Sequence, residues 1–503
     1  MKNKILKASL LFLGSLSLVA CGGNPGSSEG GDGGKTEPSN VSKDKTISFW
    51  HCIGHDKMRN LDRIITAFNE AHKDTDGYQI VPEKLSGSYD DLHDAVKTKL
   101  QAGYVPSITM GYPDSFSEYM GTGGVEKSKI LNLDSFINND ADFHPETFVD
   151  MYYQEGKGYQ YEGTWSVPLY KSTEAMYINK EMFQSTTFYK EHKDDTHGSY
   201  GAVIGDPSTW DWDTLTYVAS QVQAEKGTAA GSDFHALGYD SDANLFISQM
   251  AQRNIPYTSA TGTGEEHFNF VDTKGIPNAD LVAFGAELMD LINSGALATQ
   301  GSTGGSYSSD LFLKKKAMIT IGSTGGSAYN DPKGSTTSDF TCSLYAVPAY
   351  QGKNNAKYIM QGPSLCFFDT KDPAKEAAAW EFYSKFVSDS NLNAALALEN
   401  SYDPVRKASY ETDNYKNWTD LGKTEDGKDN EEEKLEYRIP ALTATIKDNY
   451  ITSPVFVGSS KARTEIGKVL SYAQSFKGSS SDKVSSALVK AWTECINYIR
   501  SAK

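Results

Sequence analysis

Cysteine is scarce in this chain: 5 of the 503 residues are cysteines, and they lie far apart. Such wide spacing excludes a disulfide scaffold and a zinc ribbon, because both need closely set cysteines. Cys342 and Cys366 lie in separate strand-like segments, so the sequence leaves open whether they form a disulfide or stay as buried thiols. His51, Cys52 and His55 form a cluster without further spaced ligands, which is a weak metal signal. The sequence therefore predicts neither a metal nor a cofactor.

Long hydrophobic runs are also scarce, and the apolar run at residues 10–19 is too short to span a bilayer comfortably. It follows Lys2, Lys4 and Lys7, a pattern that predicts a signal peptide over residues 1–20. The run ends in Leu-Val-Ala-Cys, which resembles the lipobox of bacterial lipoproteins. We therefore expect cleavage before Cys21 and lipidation of its sulfur, the alternative being an ordinary secretory signal followed by a chance cysteine.

Apolar residues are nearly absent from residues 21–44, which consist mainly of Gly, Ser, Pro, Asn and charged residues. Such a segment cannot bury enough surface to offset its chain entropy, so it is predicted to be a flexible tether. The remaining body of about 460 residues is large enough for two or three domains with sizeable cores. A lipid, a tether and a globular body together predict a protein held at the outer face of the cell membrane.

An excess of positive charge is absent as well, since the formal net charge is −17. Nucleic acids and acidic lipid head groups are polyanions, so this charge disfavours both as partners. Aromatic residues are plentiful, with 29 tyrosines and 7 tryptophans. Although most of them are expected in a core, aromatic faces with a polar handle also suit half-polar ligands.

Strand-like and helix-like segments alternate along the body. A strand pattern at residues 46–50 precedes a helical pattern with Leu61, Ile64 and Phe68 on one face. The pattern recurs further along the chain, and this alternation predicts an α/β fold with largely parallel sheets. The other predicted strands are residues 78–81, 107–110, 317–321, 344–348 and 364–368, and the other predicted helices are residues 89–100, 374–387, 391–399, 463–475 and 484–499.

Six segments carry a resemblance to a known family. They are ISFWH at 47–51, FN at 68–69, PSI at 106–108, PLYKSTEAMYIN at 168–179, KAMITIGS at 316–323 and YDPVR at 402–406. In this order and spacing they resemble family-1 extracellular solute-binding proteins, the group that contains maltose- and glycerol-3-phosphate-binding proteins. The likeness spans nearly all of the chain from Thr46 onward.

The resemblance implies a two-lobe, type II periplasmic-binding-protein-like fold, with a mainly parallel sheet flanked by helices in each lobe. Hinge strands join the lobes, and the ligand lies in the cleft between them. Residues 168–179 resemble the segment that leaves the first lobe, and residues 316–323 resemble the strand that returns to it. The implied lobes are residues 45–168 plus 312–350 and residues 169–311 plus 351–503.

The resemblance, together with polar side chains that follow predicted strands, gives a set of candidate ligand-binding residues. They are His51, Tyr89, Tyr112, Asp114, Ser172, Thr173, Glu174, Trp212, Ser323, Gly325, Gly362, Tyr402 and Arg406.

Each candidate has a structural alternative. Asp114 can bind ligand hydroxyls or only cap a helix. Glu174 can bind hydroxyls, orient Arg406 or serve the hinge alone, and Arg406 can bind the ligand or form a salt bridge within its lobe. Trp212 is a possible aromatic platform, and Trp165 is an equal candidate.

The implied function is capture of a small solute, a sugar or oligosaccharide, for the permease subunits of an ABC importer, by a monomer without enzymatic activity. Residues 453–458 are apolar where glycerol-3-phosphate binders carry an arginine, which favours a neutral sugar, although Arg406 keeps a phosphate ligand open. The glycine-rich turn at 322–327 lacks the Gly-Lys-Ser/Thr ending of a nucleotide P-loop, so the sequence does not predict ATP binding. An anchored glycan hydrolase is the alternative, yet no carboxylate spacing indicates a catalytic pair.

Overall fold

The structure is a computed structural model that describes residues 43–85, 87–121, 123–227, 232–335 and 339–501. The predicted signal peptide, Cys21 and nearly all of the predicted tether lie outside the described residues. The described body falls within one unit, Lys43–Lys503. None of the helices found in the described segments is long and apolar enough to cross a membrane.

The strands are short. In chain order they are β1 Thr46–His51, β2 Gln79–Lys84, β3 Ile108–Gly111, β4 Val167–Pro168, β5 Glu174–Asn179, β6 Thr196–His197, β7 Ala202–Val203, β8 His235–Tyr239, β9 Leu297–Thr299, β10 Ala317–Ser323, β11 Cys342–Ala346, β12 Tyr358–Ile359, β13 Ser364–Phe367 and β14 Tyr450–Ile451.

The helices range from one turn to six. In chain order they are α1 Arg59–His72, α2 Tyr89–Gln101, α3 Pro113–Met120, α4 Asp134–Asn139, α5 Asp150–Gln154, α6 Lys180–Ser185, α7 Thr187–His192, α8 Trp212–Lys226, α9 Asp242–Gln252, α10 Ala279–Asn293, α11 Ser308–Leu313, α12 Pro373–Glu381, α13 Ser390–Glu399, α14 Asp413–Leu421, α15 Leu435–Ile446, α16 Ser459–Ile466, α17 Val469–Ser475 and α18 Ser480–Ser501.

Two five-stranded sheets carry the fold. The first sheet has the order β2-β1-β3-β13-β4 and the second the order β11-β5-β10-β8-β9. β1 pairs in parallel with β2 and β3, and β8 pairs in parallel with β9 and β10. In the first sheet β13 is antiparallel to β3 and β4, and in the second β5 is antiparallel to β10 and β11. The sheets are therefore mixed, and the expectation of mainly parallel sheets is corrected.

Strand pairing also differs from the expected division into lobes. β10 and β11 pair within the second sheet, although residues 312–350 were assigned to the first lobe. β13 pairs within the first sheet, although residues 351–503 were assigned to the second lobe. The strand that returns to the first sheet is thus Ser364–Phe367 and not residues 316–323. A local strand pattern cannot show this, because it does not encode which neighbour the strand will pair with.

The helical patterns were predicted more accurately. α1 buries Leu61, Ile64 and Phe68 on one face, as the spacing predicted. The predicted helix at 463–475 is two helices, α16 and α17, separated at Gly467. A Cβ on Gly467 would lie 3.2 Å from the side chain of Ala243, so the helix break is a point of close approach between α16 and α9.

The four cysteines in the described part of the chain are buried and free. Cys342 lies in β11 of the second sheet, whereas Cys366 lies in β13 of the first. Burial raises the pKa of both thiols, as it does for Cys52 and Cys495. The open question of a Cys342–Cys366 disulfide is therefore answered in favour of buried thiols.

Three chain passes connect the sheets close to one another. The first, between β4 and β5, pairs Lys171 with Asp403 and Ser172 with Gln361 through isolated β-bridges. Lys171 is fully buried, and its ammonium group donates to the carboxylate of Glu155, to the carbonyl of Gly362 (3.1 Å) and to Ser364 Oγ (3.0 Å). We call this region, residues 168–174, 359–364 and 402–405, the hinge.

Candidate functional site

A cavity of about 420 Å³ lies where strand ends of the two sheets meet. From the first sheet, Tyr112 and Asp114 line it directly after β3. From the second sheet, Ser241 and Asp242 line it after β8, and Gln300 lines it after β9. Ligands of open α/β sheets bind outside the carboxyl ends of the strands, which is where this cavity lies.

Helix starts form much of the cavity wall. The loop after β3 leads into α3, where Tyr112 is the N-cap residue and Pro113 begins the helix, as its fixed φ favours. The loop after β8 leads into α9, where the side chain of Ser241 accepts a hydrogen bond from the backbone N–H of Asn244 (3.2 Å). Backbone N–H groups at such starts suit oxygen-rich ligands. α16 and α17 supply the remaining wall.

Arg463 supplies a positive charge to this cavity from α16. Its guanidinium donates to the side-chain oxygen of Asn244. Asn244 in turn donates to Glu174 (2.8 Å), whose other carboxylate oxygen accepts from the Tyr239 hydroxyl (2.5 Å). This chain of hydrogen bonds fixes Arg463 from the hinge side of the second sheet.

Two of the three carboxylates that line the cavity, Asp242 and Asp114, have different surroundings. Asp242 is nearly buried, and its oxygens accept from Thr299 Oγ1 (2.7 Å) and from the backbone N–H of Gly301 (3.0 Å). Its role is to hold the loop after β9. Asp114 accepts one bond, from the N–H of Ser115 (2.9 Å), and burial raises its pKa although Arg463 opposes the shift. Asp114 therefore keeps acceptor capacity for a ligand.

A cluster of tyrosines adjoins the site through Tyr112, which lines both cavities. The rings of Tyr89 and Tyr112 lie 4.8 Å apart, and those of Tyr170 and Tyr402 lie 4.5 Å apart. The hydroxyls of Tyr89 and Tyr402 lie 3.3 Å apart and join the two pairs. Burial raises the pKa of Tyr402 to about 12, so its hydroxyl stays protonated at neutral pH. The cluster offers flat apolar faces with hydroxyl groups at their edges.

A second cavity of about 50 Å³ adjoins the first, since Tyr112, Asp114 and Arg463 line both. Glu155, Gln361 of the hinge and Ser453 complete its polar lining. We call it the inner cavity and the larger one the outer cavity.

A larger groove, of about 820 Å³, lies elsewhere on the first sheet. Thr46 at the start of β1 and Ser107 just before β3 line it, together with surface lysines such as Lys127 and Lys371. It lies at the amino ends of the strands and has no wall from the second sheet. For this reason we assign the candidate site to the outer and inner cavities.

The structure brings several predicted residues together. Tyr112 and Asp114 line the outer cavity, and Tyr89 and Tyr402 belong to the tyrosine cluster. Gly325 packs on this cluster, since a Cβ there would lie 2.6 Å from the ring of Tyr402.

Four predicted residues are hinge residues. The N–H of Ser172 donates to the carbonyl of Gln361 (2.9 Å), and Thr173 Oγ1 donates to the carbonyl of Ile359 (2.8 Å). Gly362 has φ +99°, and a Cβ there would lie 2.6 Å from the carbonyl oxygen of Tyr170, so that position requires glycine. Glu174, the fourth, contacts Asn244 and Tyr239 as described above, and it makes no pair with Arg406.

Arg406 is not in either cavity. Its guanidinium donates to the carbonyl (2.8 Å) and the hydroxyl (3.0 Å) of Ser388 and to Thr147 Oγ1 (2.6 Å), and it lies 4.4 Å from the ring centre of Phe148. The guanidinium donors of Arg406 are thus bound by carbonyl and hydroxyl oxygens of the protein. None of these partners is the carboxylate that a salt bridge within the lobe would require.

Three further candidates lie away from both cavities. Trp212 is 1% exposed, donates to Glu287 (3.1 Å) and fills the core beside α10, so it is no platform. His51 is buried, its Nδ1 accepts from the N–H of Ile53 (3.2 Å), and burial lowers its pKa to about 4. The backbone carbonyl of Ser323 accepts from the hydroxyl of Tyr177 (3.4 Å) where β10 ends. Trp165, the equal candidate, is buried and donates to backbone carbonyls.

Sequence reasoning missed Arg463, Gln300 and Gln361. Gln300 follows a strand of three residues, which is too short to give a periodic signal. Arg463 was placed in a helix, but only the break at Gly467 would have indicated that this helix end approaches α9. Within the described residues no group of three or more His, Cys, Asp or Glu side chains is placed to hold a metal ion.

Comparison with known proteins shows the family to which the chain belongs. Residues 63–423 match the family model of bacterial extracellular solute-binding proteins. The sn-glycerol-3-phosphate-binding periplasmic protein UgpB of Salmonella typhimurium is 27% identical over 139 residues, which cover 28% of this chain and 30% of that protein. UgpB of Yersinia pestis is 29% identical over 143 residues, again 30% of its length.

Solved structures share the fold at lower identity. UgpB from Mycobacterium tuberculosis in complex with glycerophosphocholine has a TM-score of 0.63 at 13% identity, covering 91% of this chain and 98% of that one. Maltose-bound T. maritima MalE3 has a TM-score of 0.60 at 15% identity, covering 89% and 99%. The α/β fold with two sheets flanked by helices is therefore that of two-lobe solute-binding proteins, and the chain belongs to the family of bacterial extracellular solute-binding proteins.

Proposed function

We propose that this chain captures a small hydroxylated solute, a sugar or short oligosaccharide, in the outer cavity and delivers it to the permease of an ABC importer. The observation that carries the proposal is the outer cavity itself, which has walls from the ends of strands in both sheets. Its lining combines hydroxyl, amide and carboxylate groups with two cations, Arg463 and Lys468, and adjoins the tyrosine cluster. Such a mixture matches the hydroxyl edges and C–H faces of a sugar ring.

The attachment to the membrane is part of the same proposal. The lipobox-like sequence at Cys21 and the polar tether behind it would hold the protein beside a transporter on the extracytoplasmic face. Binding without chemistry is part of the proposal too, because the family is one of solute-binding proteins.

A glycerophosphate-type ligand is the second candidate, and Arg463 favours it. The guanidinium of Arg463 lies in both cavities, and arginine is suited to bidentate contact with phosphate. UgpB of Salmonella typhimurium is an sn-glycerol-3-phosphate-binding protein, and UgpB from Mycobacterium tuberculosis forms a complex with glycerophosphocholine. In the same lining three carboxylates, Asp90, Asp114 and Asp242, outnumber the two cations Arg463 and Lys468. This excess of negative charge weighs against an anionic group and leaves the neutral sugar as the preferred ligand.

A thermal-shift screen tests the proposal. The purified protein is heated with mono- and oligosaccharides, sugar phosphates, glycerol-3-phosphate and glycerophosphocholine, because a ligand of the folded state raises the melting temperature with its concentration. We expect neutral sugars to stabilise the parent and to lose most of their effect in Asp114→Asn and Arg463→Ala. Stabilisation by phosphate-containing solutes alone would favour the second candidate. Hydrolysis of a glycan by the pure protein would refute the capture function.

A further inference from the structure

Gln361 has an amide oxygen without a partner at the hinge. The residue is 8% exposed, and its backbone N–H and carbonyl both pair with Ser172, at 2.8 and 2.9 Å. Its side-chain Oε1 is buried and accepts no hydrogen bond from the described residues. Buried polar groups are nearly always hydrogen-bonded, so this acceptor is available to a donor from a ligand or a water molecule in the adjoining cavity.

Ser172, which faces Gln361 across this bridge, has an unpaired group of its own. Its Oγ is also buried and without a hydrogen-bond partner among the described residues. The two residues are directly opposite in an antiparallel bridge, so their side chains lie on the same face. Of the two residues, Gln361 is the one that lines the inner cavity.

The volume of the inner cavity limits the size of a group that can reach Gln361. Gln361 lines it, and its volume of about 50 Å³ has room for one or two water-sized groups but not for a sugar ring. Asp114 and Glu155, which also line it, are acceptors when ionised and disfavour a second anion there. Since the inner cavity shares Tyr112 and Arg463 with the outer one, a ligand ring in the outer cavity can extend a branch into it.

We propose that the inner cavity is a subsite for one hydroxymethyl branch of the ligand, whose hydroxyl donates to Gln361 Oε1. The subsite rests on the proposed function, because it presupposes a sugar in the outer cavity. It makes the protein selective for hexose units over the pentose units that lack this branch. A site that hydrogen-bonds a substrate hydroxyl discriminates against the analogue without it, because its own polar group is then left unpaired.

Matched sugar pairs test the subsite. The probes are D-glucose with D-xylose, D-galactose with L-arabinose, and cellobiose with xylobiose; in each pair the second sugar lacks the hydroxymethyl group. Dissociation constants are measured by calorimetry on the full-length purified protein. We expect the parent to bind the hexose member of at least one pair ~10-fold or more tightly than its partner. Gln361→Met keeps the length of the side chain and removes the acceptor. In this variant the affinity for the hexose should fall by about the same factor, while the affinity for the pentose should stay within about twofold of the parent's.

Two control variants make the outcome specific. Gln300→Met changes the outer cavity and should affect both members of a pair alike, whereas Ser453→Leu fills the inner cavity and should remove the hexose preference. Gln361 uses its backbone in the hinge bridge, so Gln361→Met keeps those bonds, and a melting curve confirms that it folds.

Two results overturn the subsite alone: equal affinity of the parent for both members of every pair, or an equal loss of affinity for both members in Gln361→Met. Binding of none of the six sugars overturns the sugar-capture function and the subsite with it.

Discussion

Arg406 and Arg463 hold their guanidinium groups in different surroundings. Arg406 links Ser388 to Thr147 inside the molecule, whereas Arg463 lies in the wall of both cavities. We expect Arg406→Ala to lower the free energy of unfolding by about 2 kcal/mol, because its partners lose buried hydrogen bonds, and to leave ligand affinity unchanged. Arg463→Ala should weaken binding by about tenfold or more with little loss of stability. Urea unfolding and calorimetry distinguish the two, and a loss of affinity in Arg406→Ala alone would reverse the assignment.

Glu174 makes stability depend on pH. Burial raises its pKa to about 7, a shift that hydrogen bonds from Tyr239 and Asn244 only partly oppose, while an unfolded glutamate titrates near about 4.3. Between these values the folded state binds more protons than the unfolded state, so stability falls as the pH rises from about 4.3 to 7. Glu174→Gln removes this loss of stability, which is on the order of 3 kcal/mol. The free energy of unfolding of the variant should therefore change less with pH over this range.

Asp403 provides the matched comparison, because burial raises its pKa to about 7 as well. Asp403→Asn should reduce the pH dependence of stability over the same range by a similar amount. The double variant should reduce it further. Stability is measured by urea unfolding at half-unit steps of pH. A Glu174→Gln curve parallel to that of the parent would show that Glu174 is ionised throughout.

Sequence reasoning can place a candidate in the wall of the cavity when that candidate follows a strand end, and its contact with a ligand stays a prediction. Tyr112 and Asp114 come directly after a clear β pattern, and such positions face the site in this kind of fold. Arg406 and Trp212 were misplaced because composition and motif show a donor or a ring but not the partner it contacts. Gln361 could not be identified from the sequence, since its significance is an unpaired buried atom.

At the scale of elements, the hinge depends on a buried ion pair. Lys171 and Glu155 are both buried, and Ser364 donates to the same carboxylate (3.0 Å). Lys171→Met leaves the Glu155 charge without its partner and should lower the free energy of unfolding by about 3–5 kcal/mol. Lys171→Met combined with Glu155→Gln should recover much of this loss. Equal destabilisation in the single and double variants, measured by urea unfolding, would show that the pair is not what holds the hinge.

Elements were predicted better than their arrangement. Strand patterns are local, because β-branched and aromatic residues alternate over a few positions, and β1, β3, β10 and β13 were found close to their observed bounds. Sheet membership depends on long-range pairing, so β10 and β13 were assigned to the wrong halves. The turn at Gly362, where a side chain would meet the backbone of Tyr170, is where the chain returns to the first sheet.

At the scale of the whole molecule, capture requires the halves to close over the solute. A ligand shifts this equilibrium only if it contacts the closed state better than the open one. A ligand in the outer cavity would contact both sides, because Asp114 follows β3 of the first sheet and Arg463 lies on α16, which packs against α9 beside the second sheet. Hinge closure around a ligand is a known mode of motion for binding proteins of this kind.

The distance between the halves is the most direct test of this account. Nitroxide labels are placed at Asp94→Cys in α2 and Ala283→Cys in α10, both exposed, in a chain that starts after Cys21; the native cysteines of the described body are buried. The label-to-label distance distribution is then measured by pulsed electron spin resonance without and with a saturating sugar from the screen. We predict a shorter and narrower distribution with sugar, and no change in Asp114→Asn or Arg463→Ala at the same sugar concentration. An unchanged distribution in the parent at full saturation would contradict binding between two closing halves.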